Sequence, residues 1–153
     1  MADLLTTNEV TVHMDAVSQN EGFARLCAAA FAAPLNPTVS ELSELKTAVS
    51  EAVTNAILHG YRERAGVSRV ALTMRLDDRE VTVTVRDEGS GIADITQARE
   101  PLYTTMPEAE RSGMGFTVME SFMDSVEVHS TVGLGTEVVM RKRFADGQDV
   151  TTD

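Results

Sequence analysis

Glu51, Asn55 and His59 stand four residues apart. On an α-helix each step of four advances only about 40° around the axis, so the three side chains share one face. A carboxylate one turn before a carboxamide places two kinds of oxygen along one wall. Such a pair suits a general base beside an oxygen ligand for Mg²⁺, a cation that prefers oxygen and keeps several of its waters. A solvated polar stripe has the same spacing. Asp87 ends a run in which Val81, Val83 and Val85 alternate with polar residues. In a strand it points to the side of those valines. A carboxylate facing a core is costly unless donors reach it. An adenine amino group, an arginine or a backbone turn would each serve.

Gly89 and Gly91 follow that carboxylate. Glycine lets the chain turn sharply and lets a flat ligand approach the backbone. The pattern is neither a Walker loop, which needs Gly-Lys-Ser/Thr, nor a dinucleotide fingerprint, which needs a third glycine before a helix. Plain turns use the same residues. Ser112-Gly113-Met114-Gly115-Phe116 opens an apolar helical stretch. The free N–H groups and positive dipole end of such a helix suit phosphate, and Gly113 and Gly115 remove side chains that would block it. Arg111, just before, has the fork geometry that grips phosphate oxygens. Thr136 shares parity with Val138 and Met140, so its hydroxyl points inward at a strand start. His13, His59 and His129 have no metal-ligand spacing, and Met114, Met119 and Met123 read as core packing.

The elements that must position these residues follow from periodicity. Val10, Val12 and Met14 alternate as in a strand. Ser18-x-x-Glu21 is a capping-box pattern opening a helix with Phe23, Leu26, Ala30 and Phe31 at three- and four-residue spacing, ended by Pro34 and Pro37. Thr38-x-x-Glu41 is a second capping box. Its helix has the stripe Leu42, Leu45, Val49, Val53 and Ile57 and runs to about His59, with Gly60 as the stop. Val70 to Leu76 and Val81 to Asp87 are strands around an Asp77-Asp78 turn. Gly89 to Gly113 has no sustained pattern; a connection that long is functional or mobile. Gly113 to Met123 reads as a helix, and Val126 to Ser130 with Thr136 to Phe144 as a terminal hairpin. Residues 145–153 form a polar, frayed tail.

The 153 residues make one domain, with a core over residues 8–144. Thirteen basic against twenty-four acidic residues give a net charge of −11. That is the wrong sign for direct nucleic-acid binding, which needs clustered Lys and Arg to displace counterions. An anionic ligand must instead be met locally, by N–H groups, a few arginines or a divalent cation. Cys27 is the sole cysteine, so no internal disulfide forms. The first ten residues lack the basic n-region of a secretory signal. The longest apolar run, Cys27 to Ala33, falls far short of the roughly 20 residues of a membrane span. The expectation is a cytoplasmic protein with no membrane contact.

The order of these signals changes their weight. A Glu-x-x-x-Asn helix, an Asp-x-Gly-x-Gly strand end, a long unpatterned segment, a Gly-x-Gly helix start and a late inward Thr would together serve one ATP-sized pocket. That order resembles the GHKL superfamily of ATP-binding domains, shared by gyrase and histidine kinases. Within it, residues 50–61 (SEAVTNAILHGY), 85–92 (VRDEGSGI) and 110–117 (ERSGMGFT) resemble the anti-sigma F factors of endospore-forming bacteria, and the likeness runs from about Val10 to Arg143.

The resemblance implies an α+β two-layer sandwich of the GHKL (Bergerat) type: a mixed sheet covered on one face by helices, with a mobile ATP lid. It implies a serine protein kinase that is also an anti-sigma factor. Such a protein binds and inhibits sporulation sigma factor F, using ATP or ADP with Mg²⁺, and phosphorylates a serine of an anti-anti-sigma antagonist. A switch kinase for another sigma system and a non-catalytic ATP-dependent binding module are the alternatives. By similarity Glu51 activates the substrate hydroxyl, Asn55 ligates Mg²⁺, and Asp87 reads adenine with Gly89 and Gly91 shaping the floor. Thr104, Thr105, Arg111, Ser112, Gly113, Met114, Gly115 and Phe116 form the lid and phosphate site, and Thr136 lines the adenine side. Arg25 matches an arginine contacted by both protein partners, and homodimerisation through the N-terminal strand and helix is implied. Met106 stands where the family usually has a lysine, Ala93 where it has a proline, and residues 148–153 are acidic where its tail tends to be basic.

Overall fold

The alternating and helical patterns become five strands and three α-helices in the computed structural model, which describes residues 7–60, 68–89 and 115–145, with only the backbone of residues 59 and 60. In chain order these are β1 (Thr7–Asp15), α1 (Asn20–Ala32), α2 (Val39–Asn55), β2 (Arg69–Asp77), β3 (Glu80–Asp87), α3 (Gly115–Phe122), β4 (Ser125–Thr131) and β5 (Gly135–Arg143). A 3₁₀ turn, Ala33–Leu35, follows α1, and a π-helical turn, Ala56–Gly60, continues α2.

The strands form one sheet in the order β1-β2-β3-β5-β4. Every pairing among them is antiparallel, so the sheet is not the expected mixed one. The physical reason is connectivity: tight turns join β2 to β3 and β4 to β5, and such turns reverse the chain. The inner face buries Val70, Leu72, Met74, Leu76, Val81, Val83, Val85, Val138 and Met140. Leu45, Val49 and Val53 of α2 and Met119 of α3 meet them from the helical layer. The opposite sheet face has no helix over it among the described residues, which gives the two-layer α+β sandwich.

α2 is the central helix, packed between α1 and α3. Its start is fixed by the Thr38–Glu41 capping box: Glu41 N–H donates to Thr38 Oγ1 at 3.0 Å, and Thr38 N–H to Glu41 Oε1 at 3.0 Å. Glu41 Oε2 also accepts from the Ala145 N–H at 2.9 Å, tying this helix end to the chain beyond β5. Burial raises the pKa of the Glu41 carboxyl. The hydrogen bonds from Ala145 and Thr38, with the Lys142 charge, outweigh it and hold the carboxyl below its ordinary value. Lys142 is itself buried in β5. Its Nζ donates to Glu44 Oε1 of α2 at 2.8 Å and to the Phe122 carbonyl at the end of α3 at 2.9 Å. A cation at a helix C-terminus satisfies an orphan carbonyl and complements the dipole.

α1 departs from expectation twice. The Ser18–Glu21 capping box does not form; the residue before the helix is Gln19, with no side-chain cap. The Glu21 carboxylate is engaged elsewhere, by Arg25 Nη1 at 2.8 Å and by the Ser50 hydroxyl of α2. With Arg25 the carboxylate gains a full opposite charge as well as a hydrogen bond, which a backbone N–H at the helix start does not offer. Second, α1 buries Ala24, Ala28 and Ala32, not the large apolar residues. Phe23 and Leu26 are 51% and 63% exposed. Small residues let α1 lie close to α2; of the large ones, Phe23 and Leu26 face outward, while Phe31 packs partly against the core.

Candidate functional site

The end of α2 supplies the first half of the site. Glu51 and Asn55 lie one turn apart, and at Asn55 the α-helix gives way to the π turn. π turns inside or after α-helices are frequent where function requires a re-aimed side chain. α3 begins with Gly115 opposite this point. A β-carbon on Gly115 would lie 3.0 Å from Asn55 Nδ2, 3.3 Å from Asn55 Oδ1 and 3.3 Å from Glu51 Oε1. Both functional oxygens therefore border one small space, which only a glycine leaves open. The three expected residues Glu51, Asn55 and Gly115 are brought together, and Phe116 packs into the core directly after them.

The second half lies at the adjoining end of the sheet, where the π turn packs against β3 and β5. Asp87 is buried, as its parity predicts. Its Oδ1 accepts the Gly89 N–H at 2.9 Å, so a backbone turn already provides one donor. Asp87 stands directly opposite Thr136 across the β3–β5 ladder. Thr136 Oγ1 lies 2.8 Å from Ser130 Oγ, and Ser130 Oγ also donates to the Gly135 carbonyl at 3.1 Å. Gly135 has φ +120°, and a β-carbon there would come within 2.1 Å of the Asp87 carbonyl oxygen. Backbone thus meets backbone at a position where a side chain is impossible.

Ser130 and Gly135, which the sequence reading did not single out as site residues, lie beside Thr136 and Asp87. The glycine signal was legible only as a hairpin turn, and nothing in the spacing singled out Ser130. A cavity of about 330 Å³ also lies at this end of the sheet. It is lined by Asp87, Ser130 and Thr136 together with outward-facing Arg86, His129 and Glu137, and by no residue of α2 or α3.

Arg25 lies on α1. Its guanidinium is anchored by Glu21 and lies 3.3 Å from the Ser50 hydroxyl, and Ser50 is the residue before Glu51. Gly91, Thr104, Thr105, Arg111, Ser112, Gly113 and Met114, the lid as a whole with Ala93 and Met106, and the tail 146–153 lie outside the described residues. Cys27 is partly buried against the core, and desolvation pushes its thiol pKa up, away from reactivity. Among the described residues no group of three or more His, Cys, Asp or Glu side chains could hold a metal, and no helix is long and apolar enough to cross a membrane. The oxygens of Glu51 and Asn55, on a cradle that a β-carbon would fill, nonetheless fit a hard cation that takes its other ligands from waters and a bound phosphate.

Residues 16–142 match the family described as Histidine kinase-like ATPase domain. Fold and site together define a nucleotide-binding domain of that class. The anti-sigma F factor of Clostridium acetobutylicum is 54% identical over 138 residues, covering 90% of this chain and 95% of its own. That of Bacillus subtilis (strain 168) is 52% identical over 138 residues, covering 90% and 94%. The chain belongs to the anti-sigma F factor family. Among solved structures, the RsbU and RsbW domains of a Mycobacterium tuberculosis protein match with TM-score 0.66 at 20% identity, covering 95% of this chain and 34% of that one. The blue-light activated histidine kinase domain of Erythrobacter litoralis matches with TM-score 0.51 at 24% identity, covering 69% and 46%. At those identities the likeness is one of fold.

Proposed function

We propose that this chain binds and inhibits sporulation sigma factor F in an ATP-dependent manner and phosphorylates a serine of its anti-anti-sigma antagonist. The observation that carries the reading is the open cradle at Gly115, bordered by the Glu51 carboxylate and the Asn55 carboxamide. Phosphoryl transfer depends mainly on positioning and charge neutralisation. In this reading Glu51 accepts the proton of the attacking serine hydroxyl, and Asn55 offers its oxygen to Mg²⁺. When bound, the cation neutralises phosphate charge that a chain of net charge −11 cannot otherwise balance. Asp87 accepts from the adenine amino group at the far end of the pocket, beside Thr136. Arg111 and the residues of 112–116 meet the phosphates, and Thr104 and Thr105 belong to the lid over them.

The partner surface is assigned to α1. Arg25 is partly exposed and held rigidly by Glu21, which suits a contact shared by sigma factor and antagonist. Exposed Phe23 and Leu26 of α1, and β1 as an edge strand among the described residues, support a homodimer through the N-terminal strand and helix. An unpaired strand edge and exposed large apolar residues are surfaces that proteins cover. The protein would act in the cytoplasm, where the sigma factor meets polymerase.

Glu51→Ala tests the catalytic role. The variant is expected to bind ATP as the wild type does and to lose transfer to the antagonist serine; equal phosphorylation would reject the assignment. Co-purification with a sigma F homologue, in ATP and in ADP, tests the partner, and capture independent of nucleotide would refute the switch.

A further inference from the structure

α2 and α3 run in opposite directions along each other. Gly115, the first residue of α3, faces Glu51 and Asn55 near the end of α2. Phe122, the last residue of α3, is joined through Lys142 to Glu44 in the first half of α2. Glu44 to Glu51 and Gly115 to Phe122 are equal lengths of helix, each rising about 10 Å. That length is close to two full turns of about 3.6 residues, so the tie and the site share one face of each helix.

Between the tie and the site lie Ala48 and Ala52 on α2 and Met119 on α3, all buried. Apolar contact is non-directional, and methionine repacks readily. These residues hold the helices together without setting how far one slides along the other. The Lys142 ammonium supplies direction, with Glu44 Oε1 at 2.8 Å and the Phe122 carbonyl at 2.9 Å. The end of α3 is held to β5 as well: Asp124 Oδ2 accepts the Arg143 N–H at 2.7 Å, and the Asp124 N–H donates to the Arg141 carbonyl at 2.8 Å. Glu44 carries that anchorage across to α2. Lys142 is buried, and a buried ion pair is often no more stabilising than apolar residues of the same volume. Stability alone does not account for it; setting a register does.

We infer that Lys142 and Glu44 are positioning residues for the proposed phosphate site: they pin the axial register of α3 against α2 and so hold Gly115 opposite Glu51 and Asn55. This rests on the reading of that space as the Mg²⁺ and phosphate end of an ATP site. A slide of α3 along α2 would carry Gly115 out of the gap and bring a neighbouring residue, with a side chain, toward Asn55. Asp87, on β3, is not part of either helix, so the adenine end would not follow.

The test is titration calorimetry of the full chain with ATP, once with Mg²⁺ and once with EDTA, read as the ratio of the two affinities. Glu44 is half-exposed, so Glu44→Ala leaves the apolar core whole. It is expected to lower the ratio about tenfold, the scale of one contact to a charged group. Glu44→Gln, which keeps an acceptor oxygen at the same reach, is expected to retain the wild-type ratio. Lys142→Met is expected to lower the ratio as Glu44→Ala does, and the double variant no further, because the two act as one link. A purely structural role would weaken ATP alike in both conditions, and an unchanged ratio in a folded Glu44→Ala protein overturns the inference while the ATP reading stands. Fully additive losses in the double variant overturn the shared link. Wild-type protein whose ATP affinity does not rise with Mg²⁺ overturns the reading of the cradle and this inference with it.

Discussion

Gly115→Ala separates the site from the fold. The added methyl would sit 3.0 Å from Asn55 Nδ2 and 3.3 Å from Glu51 Oε1. Contacts of this kind make the neighbours give by a few tenths of an ångström. The backbone is indifferent or better off, because Gly115 is helical and alanine is favoured over glycine in a helix by roughly 0.5–1 kcal/mol. Stability and function should therefore move apart. Thermal unfolding by circular dichroism should show an unchanged or raised midpoint. ATP–Mg²⁺ affinity should fall about tenfold, near 1.4 kcal/mol. Transfer to the antagonist serine should fall further, since an ångström of misplacement costs on the order of 100-fold in rate. Gly22→Ala is the matched control. Its methyl would meet only Arg25 Nη2, at 3.7 Å, an ordinary contact, so it should raise stability without touching nucleotide. Wild-type affinity and transfer in a folded Gly115→Ala protein would refute the cradle.

Gly135→Ala should unfold the sheet end, since φ +120° costs an L-residue on the order of 1–3 kcal/mol and the methyl would strike the Asp87 carbonyl; urea unfolding measures the loss, and unchanged stability would contradict the close approach. Arg25→Glu should weaken both protein partners and spare nucleotide, measurable by pull-down beside calorimetry, and undiminished sigma capture would remove Arg25 from the interface. Lys142→Ala should cost about 1–2 kcal/mol, because it leaves the Phe122 carbonyl without its donor; chemical denaturation checks it. The Glu41 carboxyl has a folded pKa below 4.5. A depressed folded pKa contributes stability that is complete above the unfolded value and lost as pH falls through the folded one. The stability gap between wild type and Glu41→Gln should thus be full at neutral pH and close on acidification below 4.5; a gap that widens there would reverse the assignment.

What the sequence disclosed depended on which interactions are local. The Thr38–Glu41 box is self-contained within one turn, so its pattern and its geometry agree. The same pattern at Ser18–Glu21 fails because the competing partners, Arg25 and Ser50, include one from another helix, which no local reading weighs. The strands were legible because their alternation is absolute: Val81, Val83, Val85 and then Asp87 all turn inward. α1 misled because hydrophobicity ranks Phe23 and Leu26 above alanine, while close packing against α2 rewards small side chains. Glu51 and Asn55 were visible from their spacing. That Gly115 opens the space between them is a fact about two helices far apart in sequence.

One helix links the two faces of the proposed switch. Ser50 and Glu51 are consecutive on α2, so their side chains diverge by about 100° around its axis. Ser50 turns toward α1 and meets Arg25 and Glu21, the anchor of the partner surface. Glu51 turns toward α3 and borders the cradle at Gly115. A nucleotide can favour one protein complex over another only by contacts that differ between states. A rotation of α2 small enough to keep its core stripe packed would still move both groups at once, because they share a rigid backbone. The Glu21–Ser50–Arg25 cluster would be strained or relaxed by the same motion that fits Glu51 and Asn55 around a phosphate. Interrupting that cluster with Ser50→Ala should then loosen the nucleotide dependence of sigma binding while leaving nucleotide affinity intact, measured as the ratio of sigma affinities in ATP and ADP. A ratio equal to that of the wild type would mean that the signal does not run through α2.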